Sequence, residues 1–110
     1  MVHRLVVNYG KPEDPGAFDD YYRDTHVPLA SEIPGLLKFV VGHPQALDPS
    51  APGPYFVAEL DFESEETMGK AFASNEGKAA TADVANFATG GATMVHYDVR
   101  EVNAGIPEMP

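Results

Sequence analysis

From Tyr55 to Phe62 the chain alternates: Phe56, Ala58, Leu60 and Phe62 fall on one side, Tyr55, Val57, Glu59 and Asp61 on the other. That two-residue period predicts an antiparallel strand with unlike faces. Residues 93–102 alternate too, with Thr93, Val95, Tyr97 and Val99 opposite Met94, His96, Asp98 and Arg100. Residues 3–9 and 36–43 are short runs rich in β-branched and aromatic side chains and read as two further strands. Between them the period changes. Phe18, Tyr22, Thr25 and Leu29 recur at three and four residues, one face of a helix over residues 17–27. Pro28 lacks the amide proton a helix needs and disfavours helical geometry at Val27, so the helix is expected to break there. A second break is expected at Pro34-Gly35. A second helix starts at Ser64, a hydroxyl cap followed by Glu65 and Glu66, with Met68, Ala71 and Phe72 as its apolar face. Ser74–Gly77 interrupts it, Ala79, Ala80, Val84 and Phe87 resume the rhythm to Ala88, and Gly90-Gly91 ends it.

The element order is β-α-β-β-α-β, an α+β, ferredoxin-like arrangement: an antiparallel four-stranded sheet with helices on one face. Residues 10–16 and 44–54 are dense in turn residues and read as loops. The face without helices is expected to keep Tyr55, Val57, Met94 and Val6 among charged groups. That mixture suits a sheet-to-sheet homodimer better than open exposure.

At 110 residues the chain has room for one domain, expected over residues 1–102, with residues 103–110 as a tail that drapes over a partner or is disordered. Seven Lys and Arg against seventeen Asp and Glu give a net charge of −10, which makes nucleic acid an improbable partner. No apolar run reaches the roughly 18 residues of a spanning helix, and the N-terminus lacks the features of a signal peptide, so no membrane partner and a cytoplasmic location are expected. The absence of cysteine removes disulfides and thiolate chemistry.

Imidazole can act as general acid or base near neutral pH, which makes His26, beside the expected helix break, the first candidate for chemistry. A histidine near a helix C-terminus is also a common structural device. Tyr22, one turn earlier, either orients His26, bonds a substrate oxygen or simply packs. Asp83 reads as an orienting carboxylate for an imidazole or, with more weight, as a cap or solvent contact. Asn86 lies beside it. His43 ends the second strand just before the proline loop and is expected at the rim of the cavity. Phe39, Phe56, Phe72 and Phe87 line a pocket or fill a core. The histidines at 3, 26, 43 and 96 show no ligand spacing, so no metal is expected, and no phosphate-binding glycine loop points to a nucleotide cofactor.

Four motifs together, FDDYYRDTHVPLA at 18–30, IPG at 33–35, SNEG at 74–77 and ADVANFA at 82–88, resemble the EthD family. The resemblance covers nearly the whole domain. It implies a dimeric α+β barrel of two ferredoxin-like subunits and favours a functional His26. In the wider superfamily it implies cofactor-free isomerases, decarboxylases or oxygenases acting on small cyclic or aromatic compounds. The expected function is therefore a cofactor-free enzyme moving protons on a small apolar molecule, with His26 catalytic and Tyr22, Phe39, His43, Phe56, Phe72, Asp83 and Phe87 around the substrate. The alternative is a non-catalytic binding or accessory protein for a small hydrophobic ligand. A phenylalanine-lined pocket in an acidic chain should prefer neutral molecules to polyanions.

Overall fold

Alternation on strands and three-to-four spacing on helices both demand burial of one side, and a sheet with a helical layer satisfies both. The computed structural model describes residues 1–102; the tail expected at 103–110 lies outside the described residues. Strands β1 (His3–Tyr9), β2 (Lys38–Gly42), β3 (Phe56–Phe62) and β4 (Ala92–Asp98) form one antiparallel sheet in the order β2-β3-β1-β4. Helices α1 (Pro15–Tyr21), α2 (Val27–Ser31), α3 (Glu65–Ala73) and α4 (Asn75–Asp83) complete the ferredoxin-like order. None of the helices among the described residues is long and apolar enough to cross a membrane.

The register decides which residues share the helix-covered face. Leu5 pairs with Leu60, Val7 with Ala58 and Tyr9 with Phe56, and all six are buried. On the opposite face Arg4 makes a two-point hydrogen-bonded pair with Asp61, at 2.7 and 3.1 Å. Val40, Val95 and Tyr97 stand exposed on that face, and Val6 and Val57 are half-buried there.

Two residues expected on the helix-free face are not on it. Met94 pairs with Val7, whose side chain is in the core, so it points to the helix side. Tyr55 precedes β3, packs edge-on against Phe18 and donates its hydroxyl to Asp19 on α1 at 2.9 Å. Both faces of β4 carry apolar side chains, and alternation alone does not say which one the helices cover.

The first helix also departs from expectation, because it does not stop before Pro28. Tyr22–His26 forms a π-helical turn between α1 and α2, and the Val27 amide reaches back to the Tyr22 carbonyl. Val27 keeps helical angles (φ −57°, ψ −46°), so proline does not displace it. Pro28 falls in the first turn of α2, where a missing amide proton costs little. The wider turn has a second effect. Phe18, Tyr22, His26 and Ala30 are each four apart and all buried. In a regular helix that stripe would drift by about 40° per step; the extra residue in the π turn offsets part of the drift.

Ser74 both ends α3 and caps α4, its hydroxyl accepting from the Gly77 amide at 3.0 Å. The chain folds back so tightly that a Cβ at Gly77 would lie 2.1 Å from the Ala71 carbonyl oxygen. Only glycine fits there without moving backbone. Gly77→Ala should therefore destabilise the fold by about 1–3 kcal/mol, the usual cost of forced overpacking. Urea unfolding would check this, and an unchanged midpoint would contradict the packing described.

Candidate functional site

Burial of the 18-22-26-30 stripe turns the His26 ring inward, and only 5% of the residue's surface remains exposed. Its Nδ1 lies 2.8 Å from Oδ2 of Asp83, at the end of α4. Asp83 also receives the Tyr21 hydroxyl at 2.6 Å and the Asn86 side-chain amide at 3.0 Å. Burial works against the charge on Asp83, but the three donors outweigh it and hold the carboxyl below the usual aspartate range. An ionised carboxylate can only accept, so His26 must carry a hydrogen on Nδ1.

That leaves Nε2. It has no hydrogen-bond partner among the described residues, and none of their buried polar side-chain atoms lacks one. Nε2 therefore retains access to open space. The space is a cavity between sheet and helices, lined by Tyr9, Tyr22, His26, Ile33, Phe39 and Phe72 among others. Its volume is about 40 Å³, room for a few atoms beyond the roughly 10–15 Å³ that one water centre needs.

Two tyrosines, Tyr9 and Tyr22, line this cavity. Burial pushes the Tyr9 phenol up to about 12, with a partial offset from its neighbour Tyr22. Burial, and then the adjacent Tyr9, push Tyr22 further above its ordinary range. Both stay protonated at neutral pH and can donate to an oxygen that gains charge.

The expected site residues divide by position. Tyr22, His26, Phe39 and Phe72 line the cavity, and Asp83 orients the imidazole from behind. Phe87 does not line it; its ring lies 4.7 Å from the His26 ring and backs the histidine. Phe56 is a core residue, 4.6 Å from Tyr22 in an edge-to-face contact. His43 is exposed and away from His26, with Nε2 3.0 Å from Asp19 and its ring against Tyr55 and Phe56. It belongs to a separate surface cluster because β2 ends at Gly42, on the α1 side of the domain. Tyr9 was not anticipated, although its place on the inward face with Leu5 and Val7 was a usable signal. Tyr21 had no such signal, since its role depends on where α4 delivers Asp83. Among the described residues, no three His, Asp or Glu side chains converge as a metal site would require.

Asp83→Asn places an amide where three donors converge and should cost about 1–3 kcal/mol at neutral pH. The folded-state carboxyl titrates below its unfolded value, so this stabilisation is complete above the unfolded value of about 3.9. It is lost as pH falls through the lower, folded value. The stability gap between wild type and variant should thus hold steady above about pH 4 and narrow below it. A gap independent of pH down to acid unfolding would contradict a charged Asp83.

A family model described as the EthD domain matches residues 11–91. A Rhodococcus erythropolis protein described as an uncharacterized 11.0 kDa protein in the thcB-thcC intergenic region is 46% identical over 101 residues, covering 92% of this chain and 98% of its own. The crystal structure of an ethyl tert-butyl ether D (EthD) family protein from Bacillus halodurans superposes with a TM-score of 0.83 at 32% identity, over 91% of this chain and all of that one. At fold level only, a dimeric ferredoxin-like protein from Thermobifida fusca (TM-score 0.68, 16% identity, 90% and 92% covered) is also similar. So is SnoaB, a cofactor-independent oxygenase from Streptomyces nogalater (TM-score 0.63, 11% identity, 91% and 94% covered). With most of its length matched by the family model and a solved EthD structure matched end to end, the chain belongs to the EthD family.

Proposed function

We propose that this EthD protein is a cofactor-free enzyme that moves a proton on a small apolar carbonyl compound, with His26 Nε2 as the base. One observation carries the reading. Asp83 fixes the hydrogen of His26 on Nδ1 and leaves Nε2 bare towards an apolar cavity. A nucleophile is not required. His26 takes a proton from the carbon beside the carbonyl, and the C–H electron pair moves into an enolate. The hydroxyls of Tyr9 and Tyr22 donate to the enolate oxygen. The imidazolium, balanced by Asp83, then returns the proton to a second position, so the net change is an isomerisation. The fold-level likeness to SnoaB supports chemistry of a cofactor-independent kind on this scaffold.

A second reading, binding without turnover, is favoured by the small cavity volume of about 40 Å³. The two separate on one measurement. General acid–base groups contribute about 10²–10⁴-fold, so His26→Gln should lower turnover by that order while the protein still folds. Deuterium exchange into added ketones, followed by NMR, gives a readout before the physiological substrate is known. Exchange that proceeds equally with wild type and variant would remove His26 as the base.

We also assign the helix-free face, with Val6, Val40, Val57, Val95 and Tyr97, to contact with a second copy of the chain. The dimeric Thermobifida fusca neighbour supports this assembly. The dimer should bury at least about 1,200 Å², the lower bound for a stable specific contact. Light scattering at micromolar concentration should return a dimer mass; a monomer mass would end the assignment.

A further inference from the structure

A second histidine chain lies outside the His26 cavity. His3 on β1 is 3% exposed, yet both of its ring nitrogens are engaged. Nδ1 lies 2.8 Å from Oδ1 of Asp98, and Nε2 lies 2.8 Å from Nδ1 of His96. The register explains the meeting: His3 pairs with Asp98 and Leu5 with His96, so all four residues share the helix-side face. The hydrogen bond from His3 holds the Asp98 carboxyl below its usual range. An ionised Asp98 puts a hydrogen on His3 Nδ1. With neutral rings, His3 Nε2 must then accept from His96 Nδ1–H, which leaves His96 Nε2 as a bare acceptor.

His96 lines a groove of about 560 Å³ between β4 and the α3–α4 pair, together with Met68, Phe72, Lys78, Ala82 and Met94. The groove shares Leu5, Phe72, Thr81 and Met94 with the His26 cavity, so the two spaces adjoin. Its size falls within the roughly 300–1,000 Å³ of ligand pockets, which the inner cavity alone does not reach. Lys78 and His96 are the titratable groups facing it, and Lys78 forms no ion pair among the described residues. No carboxylate is among its lining residues, and Asp98 lies behind His3.

We infer that this groove binds an apolar molecule bearing one acidic O–H group, a phenol or enol, and that His96 Nε2 takes its proton through the Asp98–His3–His96 chain. The transfer balances without any other reagent. The ligand O–H bond breaks towards His96 Nε2. The hydrogen on His96 Nδ1 passes to His3 Nε2, and the resulting His3 imidazolium faces Asp98. The oxyanion left on the ligand lies in a groove whose one fixed cation is Lys78. The arrangement deepens the proposed function only in giving the adjoining substrate a second anchoring point; the proton relay does not require His26 to act.

The probe is 4-nitrophenol, whose phenolate absorbs visible light, buffered below its own pKa so that the free probe is mostly unionised. Titrating in the wild-type protein should raise the phenolate band. His96→Gln, a change at an exposed ring that leaves the core intact, should weaken the response about tenfold or more, as loss of a charge-assisted hydrogen bond implies. Asp98→Asn should weaken it too, while His26→Gln should retain it. No band with wild type, or an equal band with His96→Gln, would overturn the inference. A band lost in His26→Gln and kept in His96→Gln would also overturn it, and would move the base to the inner cavity.

Discussion

The buried carboxylate of Asp83 is the constraint on which the helical layer depends. A charge taken out of water must be met by donors or it destabilises the fold. Here the donors come from two places far apart in sequence: Tyr21 and His26 on the first helical segment, and Asn86 just beyond α4. Satisfying one aspartate therefore docks the N-terminal helix against the C-terminal one. The same bond chooses the tautomer of His26 and points its other nitrogen at the cavity. Fold and candidate chemistry share a single hydrogen bond.

That geometry needs the π turn. Tyr21 and His26 must reach the same carboxylate although they are five residues apart, and Tyr22 must still face the core between them. A five-residue separation is awkward in a regular helix, where it spans about 500°, and comfortable where hydrogen bonds run from residue i+5 to i. Pro28 then follows at a position that begins a new α-helical register. The proline that looked like a stop is better understood as part of the shift, because it offers no amide to compete for the carbonyls of the preceding turn.

Much of this architecture was legible because it rests on local periods. The strands were readable from alternation or from β-branched and aromatic runs, the cap at Ser64 from its hydroxyl, and the inward turn of His26 from its spacing with Phe18 and Tyr22. What could not be read was whatever depended on partners distant in sequence. Asp83 weighed more as a cap or solvent contact because nothing near it announces an imidazole 57 residues away. His43 looked like a cavity rim because it follows a strand, yet the end of the sheet on which it lies decides its neighbours. Met94 was misplaced for a related reason: alternation gives parity, not which face a helix will cover.

The helical layer covers β4 incompletely. On the helix side, α3 and α4 lie over β1 and β3 but leave Met94 47% exposed. An edge strand with apolar side chains on both faces is a liability unless something occupies each face. The outer face has Val95 and Tyr97, suited to a second sheet. The inner face has Met94 beside a half-buried phenylalanine, a lysine and an imidazole, too polar at its rim for sheet packing and suited instead to a small amphiphilic molecule. One strand can thus serve assembly on one side and ligand on the other, because its two-residue period presents the two kinds of side chain separately.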